Sequence, residues 1–170
     1  LFHFLNTAFF PFFAWDSVAS YNNWAEYTYK TGTIPSYYAP FTQLVYSFMY
    51  IFSSPSFENF AHFLSFPFML IVLFYSARLA RELGGFEIVP VILLMITPLF
   101  LMDANSGYSD VFALAFVVSA IYYLFKASSN EKDLSSAMLS GLFGGLAAST
   151  KLYTIYFVPM LPASFFIFSV

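Results

Sequence analysis

Charged side chains interrupt this chain almost only where apolar runs begin or end, and that spacing constrains the fold more than any motif does. A helix needs roughly 20 apolar residues to cross a bilayer. Runs of about that length lie at residues 57–77, 86–102 and 108–125, and a longer tract covers 136–170. Only 9% of residues are charged while 60% are hydrophobic and 24% aromatic; ordinary soluble domains carry about 25% charged residues. Too few ionisable groups exist to cover a water-facing surface. The pattern predicts an all-α, polytopic membrane bundle surrounded by lipid. The six Lys and Arg form no basic stripe and the net charge is -3, which excludes nucleic acid as a partner. The absence of cysteine excludes disulfides, thiolate chemistry and Cys-based zinc sites.

The tract at 136–170 is too long for one helix, and Lys151 with Pro159 predicts a break that gives helices at 136–150 and 152–170. Arg78 and Arg81 follow the first full span, Lys126 and Lys132 the third, so these connections are expected in the cytoplasm. Counting alternately, the other side receives a loop at about 14–56, a turn at 103–107 and Lys151. Within that loop, residues 17–30 have helical amphipathic spacing, ended by Gly32 and Pro35, and residues 41–52 form a second amphipathic segment too short to span. Both are expected as interfacial helices of a first extracytoplasmic loop. The chain opens at Leu1 and stops at Val170 inside an apolar run, so we expect the N-terminal part of a longer membrane domain, residues 1–13 being the end of a leading helix.

This topology collects Asp16, Asp103, Asp110 and Lys151 on one membrane face. An ionised side chain at bilayer depth costs roughly 2.5 to 3.5 kcal/mol, so such groups tend to line a cavity or pathway. Asp16, at the exit of the leading helix, is placed to take a proton from a hydroxyl, or simply to cap the next helix. Asp110 opens a membrane helix, where the helix dipole alone favours an acid. Asp103 and Asn105 read as solvated turn residues. Lys151 ends a helix rich in Gly and Ala; it either snorkels toward the interface or binds an anion such as a lipid phosphate. The Gly141 and Gly145 pair is a close-packing signal. Glu26 belongs to the polar face of the first loop helix or else faces the cavity, and the loop tyrosines suit either an interfacial belt or stacking on sugar rings.

The order of these features is similar to that of the GT-C membrane glycosyltransferases, in the branch that resembles protein O-mannosyltransferases and aminoarabinose transferases. Trp15-Asp16-Ser17-Val18-Ala19, Trp24-Ala25-Glu26-Tyr27, Thr31-Gly32-Thr33-Ile34-Pro35 and Tyr38-Ala39-Pro40-Phe41 resemble that family's first external loop. Tyr108-Ser109-Asp110-Val111 resembles its acid at a helix start, and the stretch from Gly141 to Lys151 resembles its glycine-rich helix ending in Thr-Lys. The resemblance implies a hexosyltransferase that moves a sugar from a polyprenyl-phosphate donor to an extracytoplasmic lipid, glycan or protein, with inversion. It implies Asp16 as the general base, Lys151 on the donor phosphate, Asp110 orienting Lys151, the acceptor or an optional divalent cation, and Glu26 and Tyr38 as further substrate contacts. A multi-pass protein of a prokaryotic plasma membrane, its site facing outside, is the expected setting. A transporter or lipid-carrier flippase, or a non-catalytic membrane subunit, would place the same charges in other service.

Overall fold

A computed structural model describes residues 22–35, 40–53, 63–129, 133–151, 153, 154 and 156. Among these the architecture is all-α, with seven helices: α1 (Asn23–Thr31), α2 (Phe41–Ser53), α3 (Ser65–Glu82), α4 (Ile88–Ile96), α5 (Pro98–Ser106), α6 (Asp110–Ser129) and α7 (Leu134–Thr150).

Three helices make the frame. Phe68 of α3 lies 4.2 Å from Phe112 of α6 between ring centroids, and the Tyr75 and Tyr123 hydroxyls are 3.1 Å apart, so α3 and α6 run in the same direction. α7 returns antiparallel to α6: the Ser140 hydroxyl donates to the Ala120 carbonyl at 2.9 Å, and the Phe143 ring stacks on Phe116 and Tyr123. This connectivity gathers Arg78, Arg81 and Lys126 at one end of the frame and Asp110 with Lys151 at the other. α6, with 20 residues and a length of about 30 Å, is long and apolar enough to cross a bilayer, as is the α4–α5 pair taken together.

The segment 86–102, expected as one span, is broken. α4 and α5 meet at 74°, and the cause is local: Pro98 occupies the first position of α5, and Thr97 before it takes the extended backbone that proline imposes (φ -82°, ψ 109°). The Thr97 hydroxyl donates to the Leu93 carbonyl at 2.7 Å and closes the end of α4. α4 buries none of its residues and presents Ile88, Val89, Ile92, Leu93 and Ile96 outward, a surface that suits lipid and not water.

The restart at Pro98 also corrects the reading of the turn at 103–107. Asp103 and Asn105 lie in α5, which continues to Ser106 and ends at Gly107 in the left-handed conformation (φ 73°). Asn105 is buried, its amide donating to the Leu101 carbonyl at 2.7 Å. Gly141 and Gly145 are corrected as well: a β-carbon at either would meet nothing within 4 Å, so neither is a close-packing glycine. α7 instead turns Ser136, Gly144, Ala147 and Thr150 inward, a face set by the Ser140 contact to α6.

α1 and α2 dock on the Asp110 end of the frame. Tyr46 is fully buried, packs edge-on against Phe112 at 5.7 Å, and its hydroxyl donates to the Gly107 carbonyl at 3.0 Å. The Ser47 hydroxyl ties α2 to α1 through the Ala25 carbonyl at 2.8 Å. The shared core of Ala25, Tyr46, Tyr50, Met69, Val72, Phe100, Val111 and Phe112 thus joins both loop helices to the bundle beside the helix ends that carry the charges.

Candidate functional site

The break after α7 builds the site. α7 ends at Thr150, and Lys151 adopts an extended backbone (φ -145°, ψ 130°) while its N–H still bonds the Ala147 carbonyl at 3.1 Å. The chain therefore leaves the helix axis and swings the lysine toward the start of α6. There the Lys151 ammonium donates to Asp110 Oδ2 at 2.6 Å, and the Tyr153 hydroxyl donates to Oδ1 of the same carboxylate at 2.9 Å. Lys151 Nζ also sits 5.5 Å from the centroid of the Tyr153 ring. Both carboxylate oxygens are occupied, and the first turn of α6 adds the positive end of its dipole. With side chains 20% and 33% exposed, Lys151 and Asp110 are partly shielded from solvent, which strengthens their attraction over that of a surface pair.

Beside this cluster lies a cavity of about 400 Å³, within the usual range of small-molecule sites, roughly 300 to 1,000 Å³. One wall is the α4–α5 bend, with Leu94, Thr97, Leu99, Phe100 and Asp103; the other is α6, with Asp110, Val111, Ala113, Leu114 and Val117. Tyr153 and Thr154 close one edge. The lining is mostly hydrocarbon with its polar groups few and convergent, the pattern of a site for an amphipathic ligand.

The residues singled out by sequence divide into three groups. Asp110 and Lys151 are in contact, and Asp103 shares their cavity. Glu26 is not with them: it pairs with Lys30 one turn along α1 and lines neither described cavity, so the helix-face reading is the one its position supports. Asp16 and Tyr38 lie outside the described residues. Tyr153 is a member of the cluster that sequence does not single out: it lies in a turn, with the Thr154 N–H bonded to the Lys151 carbonyl at 3.1 Å, and no periodicity marks such a position. A second groove of about 630 Å³ runs along α1 and α2 past Thr28, Tyr29, Leu44 and Phe48 and carries no charged side chain. Among the described residues no group of three His, Asp or Glu side chains could hold a metal ion, and Asp110 accepts one hydrogen bond on each oxygen, from Lys151 and Tyr153. The described residues by themselves make no divalent-cation site.

No curated protein and no solved structure matches the chain. The sequence model of a family described as dolichyl-phosphate-mannose-protein mannosyltransferase matches residues 39–170, which include Asp103, Asp110, Lys151 and Tyr153 but not Asp16, Glu26 or Tyr38. With more than three quarters of its length matched, the chain belongs to the dolichyl-phosphate-mannose-protein mannosyltransferase family of integral-membrane glycosyltransferases.

Proposed function

We propose that this protein transfers a hexose from a polyprenyl-phosphate donor to an acceptor outside the cytoplasm, in a single displacement that inverts the anomeric carbon. The observation that supports it most is the Lys151–Asp110–Tyr153 cluster at the edge of an apolar cavity. A polyprenyl-phosphate sugar has a hydrocarbon tail, a phosphate and a polar ring, and a cavity with apolar walls, a few polar side chains and a cation bonded to its lining carboxylate suits such a ligand. In the reaction the acceptor oxygen bonds to the anomeric carbon, and the bond from that carbon to the phosphate oxygen breaks. Polyprenyl phosphate leaves with the electron pair. Lys151 stabilises the charge that grows on the phosphate, Asp110 holds Lys151 in position, and Asp16 takes the acceptor's proton. Tyr38 remains a proposed substrate contact from the first loop, Glu26 would join it only by giving up its pair with Lys30, and lipid, glycan and protein are the acceptor classes.

The separation of charges along the frame supports the sidedness. Arg78, Arg81 and Lys126 gather at the end remote from Lys151 and Asp110, as a cytoplasmic end requires. The site would then face the outside of a plasma membrane.

The base is the step to test. Asp16→Asn should abolish transfer, by 10²-fold or more as general-base removal predicts, with membrane insertion unchanged. Turnover near that of the unaltered protein removes Asp16 from this role. A lipid-carrier flippase is the second reading, and the 74° break between α4 and α5 is what favours it, since transporters build their sites on broken helices. Lipid flipping in reconstituted vesicles without any glycosidic product would select it.

A further inference from the structure

Asp103 is the cavity residue that the reaction above leaves without a task, and its surroundings give it no structural one. It sits in the last turn of α5, where the helix dipole disfavours a negative charge. Asp110 lines the same cavity, and the nearby cation, Lys151, is already bonded to Asp110. Every other hydrogen-bonding side chain on the cavity wall is engaged: Thr97 with the Leu93 carbonyl, Thr154 with the Lys151 carbonyl, Tyr153 with Asp110, and Asp110 with Tyr153 and with Lys151 behind it. Among the described residues the Asp103 carboxylate has no hydrogen-bond or ion-pair partner, although it is partly buried in a cavity wall that includes Leu99, Phe100 and Leu114. A partly buried carboxylate among apolar side chains is costly until something donates to it.

We infer that Asp103 is the sugar-recognition group of this cavity, accepting hydrogen bonds from hydroxyls of the hexose whose phosphate rests on Lys151. An ionised carboxylate is an acceptor only, with two oxygens that take two neighbouring hydroxyls at once. Such charge-assisted bonds are about twice as strong as neutral ones. The lysine and the free aspartate thus divide the donor between them, phosphate to one and ring to the other. This assignment rests on the polyprenyl-phosphate sugar reading, and it adds which group discriminates among sugars.

The test is a binding measurement, separate from turnover. The whole protein in lipid nanodiscs is titrated with polyprenyl-phosphate mannose, its monodeoxy analogues and sugar-free polyprenyl phosphate. The unaltered protein should bind at least one deoxy analogue tenfold or more weakly than the parent, because a site built for a hydroxyl rejects the ligand that lacks it. Asp103→Ala should lose about tenfold on the parent and bind parent and that analogue alike, with affinity for sugar-free polyprenyl phosphate unchanged. Asp103→Asn, isosteric and still an acceptor, should fall between, and it carries the test if the alanine variant does not fold. Unchanged affinity and discrimination in both variants overturn the assignment, as does an equal loss for sugar-free carrier. Discrimination that depends on Asp103 in a protein that transfers nothing would sink the transferase and keep the recognition role. Normal transfer with the deoxy ranking intact in Asp103→Ala would do the reverse.

Discussion

The hairpin of α6 and α7 carries an aspartate at each end, and the two are satisfied in opposite ways. Asp133 caps α7 with its own neighbours: it accepts from the Ser135 hydroxyl at 2.6 Å, the Ser136 hydroxyl at 2.6 Å and the Ser136 N–H at 3.0 Å. Asp110 accepts from Lys151 and Tyr153, 41 and 43 residues away. The first set of bonds needs one turn of helix, the second needs two helix ends and a chain reversal to meet. Local satisfaction reports where a helix starts; distant satisfaction reports that the tertiary fold has been made. It also explains why the far-reaching pair sits beside a cavity and the local one does not. A carboxylate fixed from outside its own helix holds a cation in a chosen place.

Removing the cation from the distant pair should have the largest effect. Lys151→Met keeps the length of the side chain and leaves Asp110 partly buried with its ion-pair partner gone. Transfer should fall by about 10²-fold or more, the usual loss on deleting one donor to a developing anion. Stability should fall by about 1–3 kcal/mol, less than the 3–5 of a fully buried pair because Asp110 is a third exposed. The double variant Asp110→Asn with Lys151→Met sharpens the point, since it removes the orphaned charge. Thermal unfolding should return most of the lost stability while transfer stays low. Recovery of both together would reduce the pair to a structural clasp.

Tyr153→Phe should be milder, because the ring that faces Lys151 is kept and only the bond to Asp110 Oδ1 is lost. A hydrogen bond to a charged group contributes about 1.5–3 kcal/mol when shielded. Tyr153 is about half exposed, so a cost near 1 kcal/mol and a roughly fivefold loss of transfer are expected. Steady-state kinetics over a range of donor concentrations measure it, and a loss as large as that of Lys151→Met would make the hydroxyl a direct substrate contact.

The same contrast explains what could be read before any coordinates. The start of α6 at Asp110 and the break at Lys151 were legible because each is written in adjacent residues: a Gly107 turn, an acid in the first turn, and a lysine interrupting a Gly- and Ala-rich helix. The contact between Asp110 and Lys151 came only from resemblance to a family, since nothing local encodes a partner 41 residues away. The α4–α5 bend is not legible in this way, because a proline near the middle of an apolar run fits both a kinked span and a fresh helix start. An unbroken span over 86–102 would leave Asp103 in a solvated turn, whereas the restart at Pro98 carries it into the cavity wall. The spacing of Gly141 and Gly145 marks a smooth helix face and does not say which neighbour uses it; the packing went to Gly144 and Ala147.

The smallest effect belongs to the local aspartate, and pH isolates it. The Ser135 hydroxyl, followed by the Ser136 hydroxyl and N–H, holds the Asp133 carboxyl down to about 2, from an ordinary value of 3.8. A group whose folded value is depressed contributes stability above its unfolded value and loses it as the pH falls through the folded one. Asp133→Asn retains a capping oxygen and removes the charge. The stability difference between the two proteins should therefore be constant above about pH 5, shrink as the pH falls through 4 toward 2, and be nearly gone below it. Thermal unfolding in nanodiscs at several pH values between 6 and 2 measures that window. Transfer at neutral pH should be untouched, because Asp133 and the Lys151 cluster stand at opposite ends of α7. A difference that stays constant down to pH 2 would mean that the serines orient the side chain without favouring its charge, and the contrast between the two aspartates would then rest on distance alone.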